Sequence, residues 1–211
     1  RIAGAGLALG ADGMVTLEGA NLLGTVAGTA DGGLSLVNAQ SLVIGSVGGV
    51  DGLSATAGDM TVLTTAGSLS VNQAVSSTAG NINLTAAGDV STAAKIGTAG
   101  NIDLLAQGGA ITLNGAIDPA TVTLTAAGDI TVNAAVQADD LITDTAGTSG
   151  AGGVTVNAAG SLTTLAAGGD ITVAAGAVSG DITLGGNVTA LDAIQMTALG
   201  GAINQTGGDI T

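Results

Sequence analysis

One five-residue phrase, Gly-Asp-Ile-Thr-Val, constrains this chain more than any other feature. It recurs with small changes in TAAGDVSTAA (85–94), TAGNIDLLAQ (98–107), TAAGDITVNAAV (125–136), AAGGDITVAA (166–175) and VSGDITLGG (178–186). A reactive motif is normally written once, whereas a phrase written this often describes a shape. Within it, Ile130 and Val132 fall on one side of an extended segment and Thr131 on the other, because strand side chains alternate. The same alternation holds for Ile111/Thr112/Leu113, Val154/Thr155/Val156, Ile171/Thr172/Val173 and Ile182/Thr183/Leu184. The glycine ahead of each phrase marks a corner.

The apolar residue after Gly-Asp serves as an anchor. Every second anchor recurs at nearly constant distance: Ile82, Ile102, Val122, Leu141, Leu162, Ile182 and Ile203 are 19–21 residues apart. A period of about 20 residues with two phrases per period is the mark of a solenoid. A unit of this size cannot bury a core alone, so each strand pairs with its equivalent in the next coil. The expected fold is an all-β parallel β-helix of roughly 10 coils, on the order of 50 Å long at about 4.8 Å per coil. The whole chain, 1–211, reads as a single β-helix segment. Its pattern runs to both ends, and we expect it to belong to a longer repetitive polypeptide. A helical reading fails, since glycine every few residues costs roughly 1 kcal/mol each in a helix interior.

Composition agrees with a thin aliphatic core. The chain has no Phe, Tyr, Trp, Cys or His, one proline (Pro119) and 38 glycines, and is 46% hydrophobic. Disorder pairs low hydrophobicity with high charge, which is the reverse of the 9% charged residues here. The net charge of −14, with Arg1 and Lys95 the only basic residues, argues against nucleic-acid partners, which need cations for phosphate. The short alternating runs and missing aromatics do not fit a membrane barrel, and no apolar stretch reads as a transmembrane helix, so no membrane insertion is expected.

Three groups of polar residues were weighed as sites. The paired acids Asp139 and Asp140 read as a solvated corner, since general acid–base chemistry needs a partner that converges on them. Asp59, Asp89, Asp129, Asp170, Asp181 and Asp209, with Asn81 and Asn101 in equivalent places, would form a ladder at coil spacing. Side-chain capping of turns explains such residues, and calcium bridging is the alternative. Thr112, Thr123, Thr131, Thr155, Thr172 and Thr183 point outward and could form rows that bind ice, although the paired T-x-T pattern is clear only over Thr121–Thr125. The sequence therefore assigns no catalytic, cofactor-binding or metal-binding residue, and no enzymatic activity or cofactor is expected.

The tandem GDITL, GNINL and GAITL phrases, at about 20 residues per turn, resemble the filamentous haemagglutinin family over nearly the whole chain, least over residues 1–60. These are large exoproteins and adhesins of Gram-negative bacteria exported by two-partner secretion. The resemblance implies a right-handed β-helix shaft at the cell surface. It also implies passage through an outer-membrane transporter, and partners that are further coils of the same polypeptide or stacked copies. The alternative function is a binding module for ice or calcium on one face of the helix.

Overall fold

The computed structural model describes residues 1–148 and 150–211, with the backbone alone over 141–144. No helix occurs among the described residues, and parallel strands stack about 21 residues apart in a β-solenoid of about 9 turns. Twenty-five strands join in one hydrogen-bonded network.

Each full turn carries three strands rather than the two that the phrases suggested. In the second half of the chain's first hundred residues, one turn runs Ile82–Ala86, Val90–Thr92, Ile96–Thr98, and the next begins at Asn101–Ala106. The first face stacks Leu34–Asn38, Met60–Thr64, Ile82–Ala86, Asn101–Ala106, Thr121–Ala126, Leu141–Thr145, Asp170–Ala175 and Ile194–Ala198. The second stacks strands from Leu42–Ile44 to Ile203–Gln205. The third runs from Leu53–Ala55 to Asn187–Thr189 and continues as a bridge from Val188 to Ile210. Third-face strands such as "IGT" and "ID" are too short and too poor in β-branched pairs to announce themselves by alternation.

The core lies inside this triangle. On the first face, Ile82, Ile102 and Val122 form one inward column and Leu84, Leu104 and Leu124 a second, all fully buried. Ile130, Ile171 and Ile182 are buried as expected, and Thr131, Thr172 and Thr183 are half-buried on the outer side. Ile203 is the exception: it is 50% exposed. Its strand pairs only with Ile182–Leu184 on one side, so no further coil covers its inward face.

Coil equivalence also departs from the anchor count. From Met60 to Ile142 the first face advances by 22, 20, 20 and 20 residues. The partner of Val122 is Ile142, not Leu141, which pairs with the outward Thr121; the Leu141 side chain lies outside the described residues. Ile171 follows Ile142 after 29 residues, because the corner between Ala146 and Gly153 is long. Leu162 belongs to the third face, beside Val136 and Val188, and Ile182 and Ile203 belong to the second. The near-constant anchor spacing beyond residue 141 thus joined strands of different faces.

At the N-terminal end, Ala3–Ala11 pairs with Val15–Ala30, a single 16-residue strand that turns all three corners. A register irregularity between Leu17 and Asn21 moves the anchor by one residue, so Leu23 is buried and Leu22 only half-buried. Asn21 and Asn38 stack inside this corner at 2% and 0% exposure. Buried amides persist only when hydrogen-bonded, and both are. Asn21 Oδ1 accepts from the Ile2 amide at 2.7 Å, and Asn38 Oδ1 from Leu23 at 2.8 Å. Their Nδ2 groups donate to Leu17, Val37, Leu23 and Gln40 carbonyls. Thr64 then Ala86, Ala106 and Ala126 continue that interior column.

A two-strand hairpin, Ser46–Val47 with Val50–Asp51, projects between the second and third faces. Its turn is Gly48–Gly49, with φ of 62° and 87°, the mirror-image turn that glycine pairs favour.

Candidate functional surfaces

The corner acids do not form one ladder; they divide among the three corners. Ahead of the first face stand Asp59, Asn81 and Asn101, with Asp170 further along the same column. Ahead of the second stand Ser41, Ser68, Asp89, Asp129 and Asp181. Asn187 and Asp209 stand ahead of the third.

Their oxygens share one task. Asp59 Oδ1 accepts from the Asn81 amide (2.8 Å), and Asn81 Oδ1 from Asn101 (2.9 Å). Asp89 reaches Ala110 at 2.9 Å, Asp129 Gly153 at 2.8 Å, Asp170 Ala193 at 3.0 Å and Asp181 Ala202 at 2.7 Å. Asn187 likewise reaches Asp209 at 3.0 Å. In each case a side chain of one coil receives a backbone N–H of the next, satisfying a donor that the corner takes out of the sheet. One oxygen of each of these carboxylates is therefore committed to the backbone, as the capping reading requires. No group of three or more His, Cys, Asp or Glu suited to a metal ion occurs among the described residues.

Asp139 and Asp140 are exposed at the corner between the third and first faces. Their backbone amides donate to the Pro119 and Ala120 carbonyls, at 3.3 and 3.0 Å. The structure brings no second reactive group to them among the described residues.

The outward threonines divide between two faces. Thr112, Thr131, Thr155 and Thr183 form one column on the second face. Beside it Asn114, Asn133 and Asn157 stack, Asn133 Nδ2 donating to Asn114 Oδ1 at 2.8 Å and Asn157 Nδ2 to Asn133 Oδ1 at 2.5 Å. Thr123 and Thr172 lie on the first face. There the T-x-T pair Thr123 and Thr125 is flanked by Asp103 and Leu105 in the preceding coil, which breaks the lattice.

Two grooves escaped the sequence reading. One, about 370 Å³, runs over the first face between Asn83, Thr85, Asp103, Leu105, Thr123 and Thr125. Burial there raises the Asp103 carboxyl above the ordinary 3.8 by disfavouring its charged form. The other, about 430 Å³, lies on the third face beside Val75, Ser76, Ser77, Lys95, Gly97, Thr98 and Asp118. Lys95 Nζ meets Asp118 Oδ2 there at 2.7 Å, the one salt bridge among the described residues. The residues are 23 apart in sequence, and only coil stacking could have revealed the pair.

No family model matches the chain, and neither a curated protein nor a solved structure matches it. No helix among the described residues is long and apolar enough to cross a membrane.

Proposed function

We propose that this chain is a structural shaft segment of a secreted bacterial surface exoprotein or adhesin, holding other parts of that protein at a distance rather than carrying out a reaction. The observation that carries this reading is the coil-to-coil oxygen ladder: seven corner side chains, on all three corners, each cap a backbone N–H of the following coil. Polar residues spent on joining coils suit a rod whose task is length and stiffness. The outer faces support the same reading, since their columns change chemistry from coil to coil, as from Asn83 through Asp103 to Thr123. A lattice-binding surface would repeat one chemistry. Partners on this reading are further coils or stacked copies, and export runs through an outer-membrane transporter.

An in-register excision separates a shaft from a binding module. Removing residues 82–101 deletes one turn and leaves Met60 to pair with Ile102. In the producing cell the shortened protein is expected to reach the surface, detected by antibody on intact cells, with adhesion retained. Label that appears only after permeabilisation would refute the surface role. Loss of adhesion with normal surface display would refute the shaft role and place a binding function in the excised turn.

A further inference from the structure

We propose that the Asp118–Pro119 peptide bond is a self-cleavage site, opened by acid and restrained by Lys95. Pro119 is the only proline in the chain, and the residue before it is the acid of the one described salt bridge. Asp118 ends the third-face strand Ile117–Asp118, with its side chain exposed. Its column neighbour in the preceding coil is Gly97. Lys95 reaches across that glycine to Asp118, and a Cβ on Gly97 would come within 3.2 Å of Lys95 Cε. The groove left open there admits water to the bond.

The chemistry balances with water alone. An oxygen of the Asp118 side-chain carboxyl attacks the carbonyl carbon of its own residue and closes a five-membered anhydride. The bond to the Pro119 nitrogen breaks, and that nitrogen takes a proton from solvent and leaves as a secondary amine. Water then opens the anhydride, restoring the side-chain carboxyl and leaving a new α-carboxyl on Asp118. Proline favours this route because its tertiary amide nitrogen is a more basic leaving group than an ordinary peptide nitrogen.

Lys95 opposes the first step by position. Its ammonium holds Oδ2 toward the preceding coil, and the carboxyl must leave that contact to swing onto its own carbonyl. Acid removes the charge that maintains the contact. The titratable groups around the bond are Lys95 from the preceding coil and Asp139 and Asp140 from the following one. The last two also hold the C-terminal side of the cut, through amide hydrogen bonds to Pro119 and Ala120. Ile117 stays stacked between Ile96 and Val136, and Val122 beside Ile102. Cleavage therefore gives two pieces, 1–118 and 119–211, that remain stacked. The inference does not depend on the shaft reading.

The test incubates the protein at about pH 3, below the ordinary Asp range, with circular dichroism following the fold and intact-mass spectrometry following cleavage. The expected products are 1–118 and 119–211, still co-eluting on a sizing column in native buffer and separating in urea. Asp118→Asn and Pro119→Ala should abolish the cut. Lys95→Gln should speed it about two- to fivefold, the factor an exposed ion pair is worth, and that difference should vanish in urea. Scission spread evenly over the other aspartates would overturn the site. Equal rates for wild type and Lys95→Gln in the folded state would overturn the role of Lys95. The second comparison holds even if Pro119→Ala fails to fold.

Discussion

Leu104→Ala should cost far more than Ile203→Ala, although both remove branched aliphatic carbon from an inward column. Leu104 is fully buried, with Leu84 in the coil below and Leu124 in the coil above. Truncation leaves a gap bounded by those two side chains, and the hydrogen bonds of the flanking coils keep the gap from closing. Leu→Ala changes in cores cost about 2–5 kcal/mol, rising with residual cavity volume. A column pinned on both sides belongs in the upper half, at about 3–4 kcal/mol. Ile203 is 50% exposed, so half of its surface is already hydrated and no cavity forms; its truncation should cost under about 1.5 kcal/mol. Urea melts followed by circular dichroism would measure both. Because repeat arrays can unfold in parts, amide exchange should accompany the melts, and the loss of protection in Leu104→Ala should centre on residues 82–126. Equal shifts for the two variants, or a Leu104→Ala cost below about 1 kcal/mol, would refute the stacked-column account of stability.

Three further outcomes follow from the corners and the grooves. Asp89→Ala removes the acceptor of the Ala110 amide and should lower stability by about 1 kcal/mol, while Asp89→Asn keeps an oxygen in place and should lose less; urea midpoints decide. Asp103 has its carboxyl raised above 3.8 by burial, so the folded chain holds that proton more tightly than the unfolded one and its ionisation opposes folding above that value. Asp103→Asn should therefore raise the urea midpoint at neutral pH, with the gain fading as pH falls to the ordinary Asp value; a pH-independent gain would refute the cause. Gly80→Ala should damage the fold more than Gly49→Ala. The Gly80 Cβ would overlap the Gly58 carbonyl oxygen of the adjacent corner, whereas at Gly49 nothing lies within 4 Å and the cost is the left-handed backbone alone, roughly 1–2 kcal/mol. Thermal melts of the two variants compare them.

The sequence by itself determined the parallel coil and, in the central turns, which side of each strand faces inward. Alternation is a local property: Ile130, Thr131 and Val132 carry their faces wherever the strand is placed. The capping task of Asp89, Asp129 and Asp181 was legible for the same reason, since a short acid after glycine at a corner finds a backbone N–H close by. What only the tertiary structure decided is which strand stacks on which. Register between coils depends on how many residues each corner consumes, and a corner lengthened between Ala146 and Gly153 leaves the alternation of the strands around it unchanged. That is why Leu162 could pass for a partner of Val122 while lying on another face. The third face, the Lys95–Asp118 pair and the groove around Asp103 were hidden because each is made by residues from successive turns. Asn21 and Asn38 were hidden for a different reason. Read locally, an asparagine belongs outside; inside a corner that strips backbone groups of their sheet partners, an amide that both donates and accepts is what the core requires.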